Sequence, residues 1–185
     1  YIMSEDDFEG TERFLELESV ADEEKRTTIH NYVIYCDLQC TLDLFRIAQL
    51  TLNAWYDPRR SPGLLLRRNN GQITCRIFKA GGMSITGVKT KEEGLKSAKI
   101  FFKVIKKFNN EAKMKKIEVK SIMATSHCNF EVDIESVSYD PKFRHLVKYN
   151  PEVFSGIRVT IPNGNVKANV FASGKMTIVG AKDES

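Results

Sequence analysis

The stretch that decides the fold runs from Tyr56 to Lys89, YDPRRSPGLLLRRNNGQITCRIFKAGGMSITGVK, and it has a second copy 93 residues downstream. The copy runs from Tyr149 to Lys182 and reads YNPEVFSGIRVTIPNGNVKANVFASGKMTIVGAK. Eleven of the 34 positions are identical, and they include the glycines and a turn dipeptide, so chance is a poor explanation. Self-similarity at a long fixed period is typical of repeat proteins. The sequence therefore predicts two tandem copies of one structural unit.

Each copy alternates strand-like segments with tight turns. Asn70-Gly71 and Asn163-Gly164 indicate type I′ hairpin turns, because both central residues of such a turn need a positive φ. Strands are expected at 28–36, 64–68, 73–78 and 83–87, and again at 116–125, 157–161, 166–171 and 176–180. Helical periodicity predicts a short helix over 42–53 and a long amphipathic helix over 92–108. The predicted order in each repeat is strand, short helix, four strands, long helix.

The second repeat differs from the first at its end. It stops at Ser185, where the first repeat continues into its long helix, so an apolar sheet face would lack part of its cover. We expect a C-terminal helix that is absent from the given chain; cover by another molecule is the alternative. The predicted division is an acidic N-terminal extension over 1–26, a first repeat over 27–112 and a second repeat over 113–185.

Charge is unevenly distributed along the chain. Residues 1–26 contain ten acidic and three basic side chains, a net of −7, whereas the other residues carry a net of +11. A basic body suggests a polyanionic partner, although a solvated lysine surface explains the charge equally well. No stretch approaches the roughly 18 apolar residues of a membrane span, so we expect no membrane partner.

The residue types that carry catalysis and metal binding form no motif. Cys36 and Cys40 are four apart, and no second close pair completes a zinc site. The three histidines have no spacing typical of a nucleophile or a metal site, and no glycine-rich phosphate loop is present. We therefore expect no enzyme activity, no cofactor, no metal and no small-molecule substrate.

The local motifs resemble the TATA-box-binding protein family over about residues 28–182. Both repeats contain Phe-x-x-Gly-x-Met, at Phe78 and at Phe171. The strings that carry the resemblance are Tyr149-Asn-Pro-Glu-Val-Phe-Ser-Gly156, Val170-Phe-Ala-Ser-Gly-Lys-Met-Thr-Ile-Val-Gly-Ala-Lys182, Cys40-Thr-Leu-Asp-Leu44 and Tyr56-Asp-Pro-Arg-Arg60. The resemblance implies an α+β fold in which two TBP-type repeats form a saddle of curved antiparallel sheet. Helices would cover the convex face, and the concave face would meet the DNA minor groove.

The resemblance also implies which residues bind DNA. Phe78, Phe154 and Phe171 match wedges that such proteins insert between base steps to kink the duplex. Asn31 matches a central asparagine that donates to minor-groove acceptors, and Val33 lines the groove beside it. The implied DNA-binding set is Asn31, Val33, Arg67, Phe78, Thr86, Phe154, Phe171, Ser173, Lys175 and Lys182.

The chain departs from the family pattern at several of these positions. Ser61 stands where a fourth wedge is expected, and Ser121 stands where a second asparagine is expected. Concave positions that are usually aliphatic carry Arg76, Lys167 and Asn169. Because a wedge supports unstacking that costs a few kcal/mol per step, these departures predict weaker or less TATA-specific DNA binding.

Two functions remain open at this stage. The first is a general transcription initiation factor that binds and bends A/T-rich promoter DNA and nucleates preinitiation-complex assembly. Glu152 would then meet a transcription factor IIB-like protein, and Lys99 and Lys107 lie on the face that meets IIA-like proteins. The alternative is a protein-interaction scaffold with weak or non-TATA DNA binding. The expected location is the nucleus, or a cytoplasmic viral factory or virion if the source is a large DNA virus.

Overall fold

Ten antiparallel strands form one sheet in the computed structural model, which describes residues 27–161 and 165–183. The strands are β1 Thr28–Asp37, β2 Ala54–Trp55, β3 Gly63–Arg68, β4 Ile73–Phe78, β5 Gly82–Val88, β6 Glu118–His127, β7 Val147–Lys148, β8 Ile157–Thr160, β9 Lys167–Val170 and β10 Lys175–Ala181. The helices within the described residues are α1 Leu44–Leu50, α2 Lys91–Lys106 and α3 Ile134–Tyr139. The α+β class that the resemblance implied is confirmed.

The sheet has the symmetry that the sequence repeat predicts. Its strand order is β2-β3-β4-β5-β1-β6-β10-β9-β8-β7, so each half has the same internal order and the halves meet at β1 and β6. Tyr32 pairs with Ile122 at this junction. Each half contains a strand, a short helix and four further strands, which is the predicted order, although no range was predicted for the two-residue strands β2 and β7. The predicted boundary between residues 112 and 113 falls between α2 and β6 and stays a prediction.

One face of the sheet carries the hydrophobic core. In β1, Tyr32, Ile34 and Cys36 are buried and alternate with partly exposed residues, the period-2 pattern of a strand with one covered face. Helix α2 packs on β1 and β5 through a buried stripe that includes Phe101 and Ile105. The helix begins at the N-cap Thr90, whose hydroxyl accepts a hydrogen bond from the Glu93 N–H.

The two halves differ in how well that face is covered. Met83, Ile85 and Val88 of β5 are fully buried, because α2 lies over them. Their repeat counterparts Met176, Ile178 and Ala181 are only partly buried, and the described residues contain no second long helix. The expected C-terminal helix stays a prediction.

The predicted Asn70-Gly71 turn and the two helices predicted in the first repeat were correct in kind, although the bounds of both helices differ from the predicted ones. Asn70 and Gly71 have φ of 53° and 89°, and the Gln72 N–H donates to the Asn69 carbonyl at 3.0 Å, as a type I′ hairpin requires. The Asn163-Gly164 turn and the acidic extension lie outside the described residues. The short helix predicted over 42–53 covers only Leu44–Leu50, because Thr51 is extended and Asn53 has a positive φ.

Candidate nucleic-acid interface

The face of the sheet opposite the core is open and carries most of the predicted site residues. They occupy the strand positions that alternate with buried ones, so their side chains project from the face opposite the core. The predicted residues placed there are Asn31 and Val33 on β1, Arg67 on β3, Phe78 at the end of β4, Thr86 on β5 and Lys175 at the start of β10. Ser173 lies exposed in the turn before β10, and Lys182 lies exposed directly after that strand. We refer to this surface as the open face.

Asn31 sits at the centre of the open face with its amide oriented by the backbone. Its Oδ1 accepts a 2.7 Å hydrogen bond from the Gly87 N–H, which leaves the two amide N–H donors to offer to a partner. In the second repeat Ser121 Oγ accepts the equivalent bond from the Gly180 N–H at 3.1 Å. Ser121 thus preserves the bond within the sheet but supplies no amide donor.

Phe154 and Phe171 form one aromatic pair at the second-repeat end. Their ring centroids lie 5.4 Å apart with an interplanar angle of 63°, an edge-to-face arrangement. Both rings border Gly156, where an added Cβ would lie 3.1 Å from Phe154 Cε1 and 3.2 Å from Phe171 Cδ1. Both phenylalanines are partly buried and lie outside the buried core, and their role as wedges stays a prediction.

Sequence reasoning missed Arg158, which lies beside this pair. Its guanidinium carbon is 5.1 Å from the centre of the Phe154 ring, a cation–π contact. The side chain is exposed and belongs to the open face, because Ile157 before it is buried. Two features of the sequence could have indicated Arg158. The alternation of β8 places it on the open face, and its repeat counterpart Leu65 is uncharged, so the charge is present in the second repeat alone.

The first-repeat end has only one aromatic wedge candidate. Ser61 is partly buried, and its hydroxyl accepts a 3.4 Å hydrogen bond from the Gly63 N–H. Phe78 is also partly buried and pairs with Gly63 across β3 and β4. Arg76 is exposed on the same face, as predicted from its position.

Positive charge extends along the open face. Exposed basic side chains lie on several of its strands: Arg67, Arg76, Arg158, Lys167 and Lys175. Among the described residues, the salt bridges within 4.0 Å join Asp57 to Arg59 and Arg60, so none involves these five side chains. A basic face that also bears aromatic side chains suits a polyanion whose grooves expose apolar surface, such as duplex DNA.

Known proteins share this architecture. The sequence model for Transcription factor TFIID (or TATA-binding protein, TBP) matches residues 26–108 and 116–185, once for each repeat. The chain belongs to the TATA-box-binding protein family. The TATA-box-binding protein of Sulfolobus acidocaldarius is 34% identical over 157 residues, which are 84% of this chain and 78% of that protein. The corresponding protein of Acetabularia peniculus is 28% identical, over 85% of this chain and 81% of its own.

A solved structure agrees with these sequence relatives. Methanococcus jannaschii TBP is 28% identical and superposes with a TM-score of 0.67, over 85% of this chain and 89% of its own. The ten-stranded sheet is therefore the TBP saddle built from two repeats, and the protein is a TBP-like transcription factor. The open face is the concave side of that saddle, and α1 and α2 cover its convex side.

The predicted partner-binding residues are exposed and lie outside the strands of the sheet. Lys99 and Lys107 are exposed on or next to α2, on the convex side. Glu152 is exposed in the loop that leads to Phe154, and its N–H donates to Asn150 Oδ1 at 3.2 Å. Beside this loop a cavity of about 230 Å³ is lined by Lys148, Tyr149, Asn150, Val153, Phe154, Gly156 and Arg158. The 74% exposed Val153 gives the loop an apolar contact next to the Glu152 carboxylate.

Cys36 and Cys75 are buried core residues rather than reactive groups. Burial raises the pKa of the Cys36 thiol to about 11, and it raises the pKa of Cys75 well above its ordinary value. Both thiols are therefore protonated at neutral pH and unsuited to metal binding or nucleophilic attack. In the described part of the chain, no three His, Cys, Asp or Glu residues cluster as metal ligands, and no helix is long and apolar enough to cross a membrane.

Proposed function

We propose that this protein binds the minor groove of A/T-rich promoter DNA on its concave face and bends the duplex by inserting phenylalanine side chains. The observation that carries the proposal is the Phe154–Phe171 pair, which lies outside the core on a face lined by basic side chains. Aromatic rings replace the stacking lost when a base step opens, and the bend brings more of the concave surface into contact with DNA.

Each part of the concave face has a place in this mechanism. Phe154 and Phe171 open one base step, and the amide of Asn31 donates to minor-groove acceptors at the centre. Val33 packs against the groove floor. Thr86 lies on β5, on the same face as Val33, and the Thr86 hydroxyl is 3.5 Å from the Thr74 carbonyl oxygen. The phosphate contacts would come from Arg67, Ser173, Lys175 and Lys182.

The proposal includes partner factors, a location and the absence of catalysis. Glu152 and Val153 would contact a transcription factor IIB-like protein, and Lys99 and Lys107 would contact a IIA-like protein on the convex side. Replacing Glu152 with arginine should then weaken IIB-like recruitment while leaving DNA binding intact. We propose a nuclear location, or a viral factory for a viral source, and no enzyme activity.

A protein-interaction scaffold that bends DNA poorly is the second candidate. It is favoured by Ser61 and Ser121, which remove one wedge and one amide donor from the concave face. The two functions differ in how binding depends on DNA deformation. A bending protein binds a pre-bent A/T-rich duplex more tightly than a straight one, because part of the deformation cost is already met.

Gel-shift titrations with pre-bent and straight A/T-rich duplexes, combined with end-to-end fluorescence transfer, test the proposal. We expect tighter binding to the bent duplex and a shortened end-to-end distance. Phe154→Ala together with Phe171→Ala should remove both effects. Equal, weak affinity for both duplexes, with no change in transfer, would favour the scaffold.

A further inference from the structure

The same glycine faces different side chains in the two repeats. Gly156 is bordered by the rings of Phe154 and Phe171. Its counterpart Gly63 is bordered by the Phe78 ring, 3.3 Å from an added Cβ, and by the stem of Arg76, whose Cγ is 2.7 Å and Cδ 3.1 Å from it. Since Phe78 and Phe171 are repeat counterparts, the second side chain beside the glycine is the Arg76 stem in the first repeat and the Phe154 ring in the second.

Strand register explains how Arg76 reaches this position. Gly63 pairs with Phe78, and Leu65 pairs with Arg76 one step along the hairpin, so the Arg76 side chain crosses diagonally to Gly63. Gly63 has no Cβ to obstruct the stem, and Ser61 is too small to fill the space. The methylenes of an arginine pack on apolar surface while its guanidinium stays in water.

The second repeat has the complementary pair of residues. There the counterpart of Arg76 is Asn169, whose side chain is too short to cross the glycine, and the counterpart of Ser61 is Phe154. Each repeat therefore places one further side chain against this glycine, a phenylalanine ring in the second repeat and an arginine stem in the first. The residues at 61 and 76 form a matched set.

We propose that Arg76 replaces the missing wedge, so that the first-repeat end of the saddle recognises DNA through an arginine side chain. This inference rests on the proposed DNA binding of the concave face. The Arg76 guanidinium enters the minor groove of an A·T tract and donates to the O2 and N3 acceptors on the base edges. A narrow A·T groove attracts such a cation through its enhanced negative potential. The base steps at this end therefore do not have to be unstacked.

The two ends of the saddle then deform DNA differently. Phe154 and Phe171 kink the step at the second-repeat end, whereas the first-repeat end holds the groove by charge and hydrogen bonds. Because Arg76 already covers Gly63, a phenylalanine introduced at position 61 alone finds its place occupied. A wedge pair forms in the first repeat only when Arg76 is shortened as well.

The experiment uses a palindromic A/T-rich duplex with 2-aminopurine at the step facing each end of the saddle. Unstacking raises the fluorescence of this base, and the palindrome makes the total signal independent of binding orientation. The full chain is compared with Ser61→Phe, Arg76→Asn and the double variant. Arg46→Asn, an exposed arginine on α1 at the convex side, is the matched charge control.

We expect the wild-type chain to unstack one end and the double variant to unstack both, so the fluorescence gain of the double variant is about twofold that of wild type. Ser61→Phe alone should give the wild-type signal. Arg76→Asn alone should also keep that signal, but it should reduce the slope of log affinity against log salt by about 1, whereas Arg46→Asn leaves the slope unchanged.

Two outcomes would overturn the inference while the proposed function stands: a doubled signal from Ser61→Phe alone, or an unaltered salt slope for Arg76→Asn. Failure of the proposed function has its own signature. The wild-type chain would then bind the duplex without any rise in fluorescence at either end, or would not bind it.

Discussion

At the scale of single residues, Phe154 shows how one side chain depends on its neighbours. Its ring contacts Phe171 edge to face, borders Gly156 and lies under the Arg158 guanidinium. These contacts hold the ring in place without burying it in the core. A wedge that is ordered before binding loses less conformational freedom when it meets DNA.

We predict that replacing Phe154 and Phe171 together with alanine abolishes DNA bending and barely changes stability. The pair contributes about 0.5–1.5 kcal/mol of ring–ring interaction, and neither residue belongs to the core. Bending is measured by end-to-end fluorescence transfer and stability by thermal unfolding.

Phe101→Ala is the matched control, since Phe101 is 2% exposed and lies on the buried face of α2. Its loss should destabilise the protein by about 3–5 kcal/mol. If the double alanine variant on the concave face is destabilised as strongly as Phe101→Ala, the two phenylalanines are core residues and the wedge assignment is wrong.

At the scale of elements, β5 and β10 each contain a glycine that the sheet requires. Gly87 and Gly180 have φ of 87° and 97°, a region that L side chains rarely adopt. Their N–H groups donate to Asn31 and Ser121. An irregular register accompanies each glycine, and such irregularities increase the local bend and twist of a strand.

Gly87→Ala should therefore destabilise the protein far more than Gly71→Ala. A Cβ at Gly87 would overlap the Gln72 carbonyl oxygen, whereas a Cβ at Gly71 would meet nothing within 4 Å. Since both positions have a positive φ, both variants share a strain cost of about 1–2 kcal/mol. Only Gly87→Ala adds a steric clash, of about 1–3 kcal/mol.

Urea unfolding midpoints of the two variants give the comparison directly, because Gly71→Ala serves as the control for backbone strain alone. Equal midpoints for the two variants would mean that the β4–β5 region accommodates a Cβ at Gly87 without losing stability. The bend of the strand would then not depend on that glycine.

At the scale of the whole molecule, the N-terminal extension and the rest of the chain carry opposite net charges. Residues 1–26 carry a net of −7 and lie outside the described residues, and the rest of the chain carries +11. Opposite charges attract most strongly at low salt. An acidic segment with aromatic residues has the chemistry to compete with DNA for a basic, apolar groove; a solubilising tail is the alternative.

Under this hypothesis, deleting residues 1–26 raises the affinity for promoter DNA, most of all at low salt. Part of the gain comes from net charge alone. A second variant, with Phe8, Phe14, Leu15 and Leu17 replaced by serine, leaves every charge in place. Its affinity, measured by the same gel-shift titration, should also rise; an unchanged value would exclude a tail anchored in the groove by those residues.

The sequence by itself determined the repeat and the succession of strands along the chain in each copy, and its resemblance to the TATA-box-binding protein family indicated most of the concave-face residues. The repeat and its elements follow from local rules: glycine and asparagine at turns with positive φ, period-2 alternation in strands, and period-3.6 apolar faces in helices. The two copies also checked each other, because a pattern found twice at a spacing of 93 residues is a stronger signal than either copy alone. The short helix predicted over 42–53 was too long because apolar periodicity does not reveal that Thr51 is extended and that Asn53 has a positive φ.

Only the tertiary structure decided which side chains share a space. Strand register and side-chain direction decide three such contacts. Arg76 covers Gly63, Arg158 stacks on Phe154, and Ser121 makes the hydrogen bond that Asn31 makes in the first repeat. These contacts join residues from different strands, at distances of a few ångströms that spacing along the chain does not encode. Register and packing across the sheet bring them together, which is why the difference between the two ends of the saddle emerges only after the chain has folded.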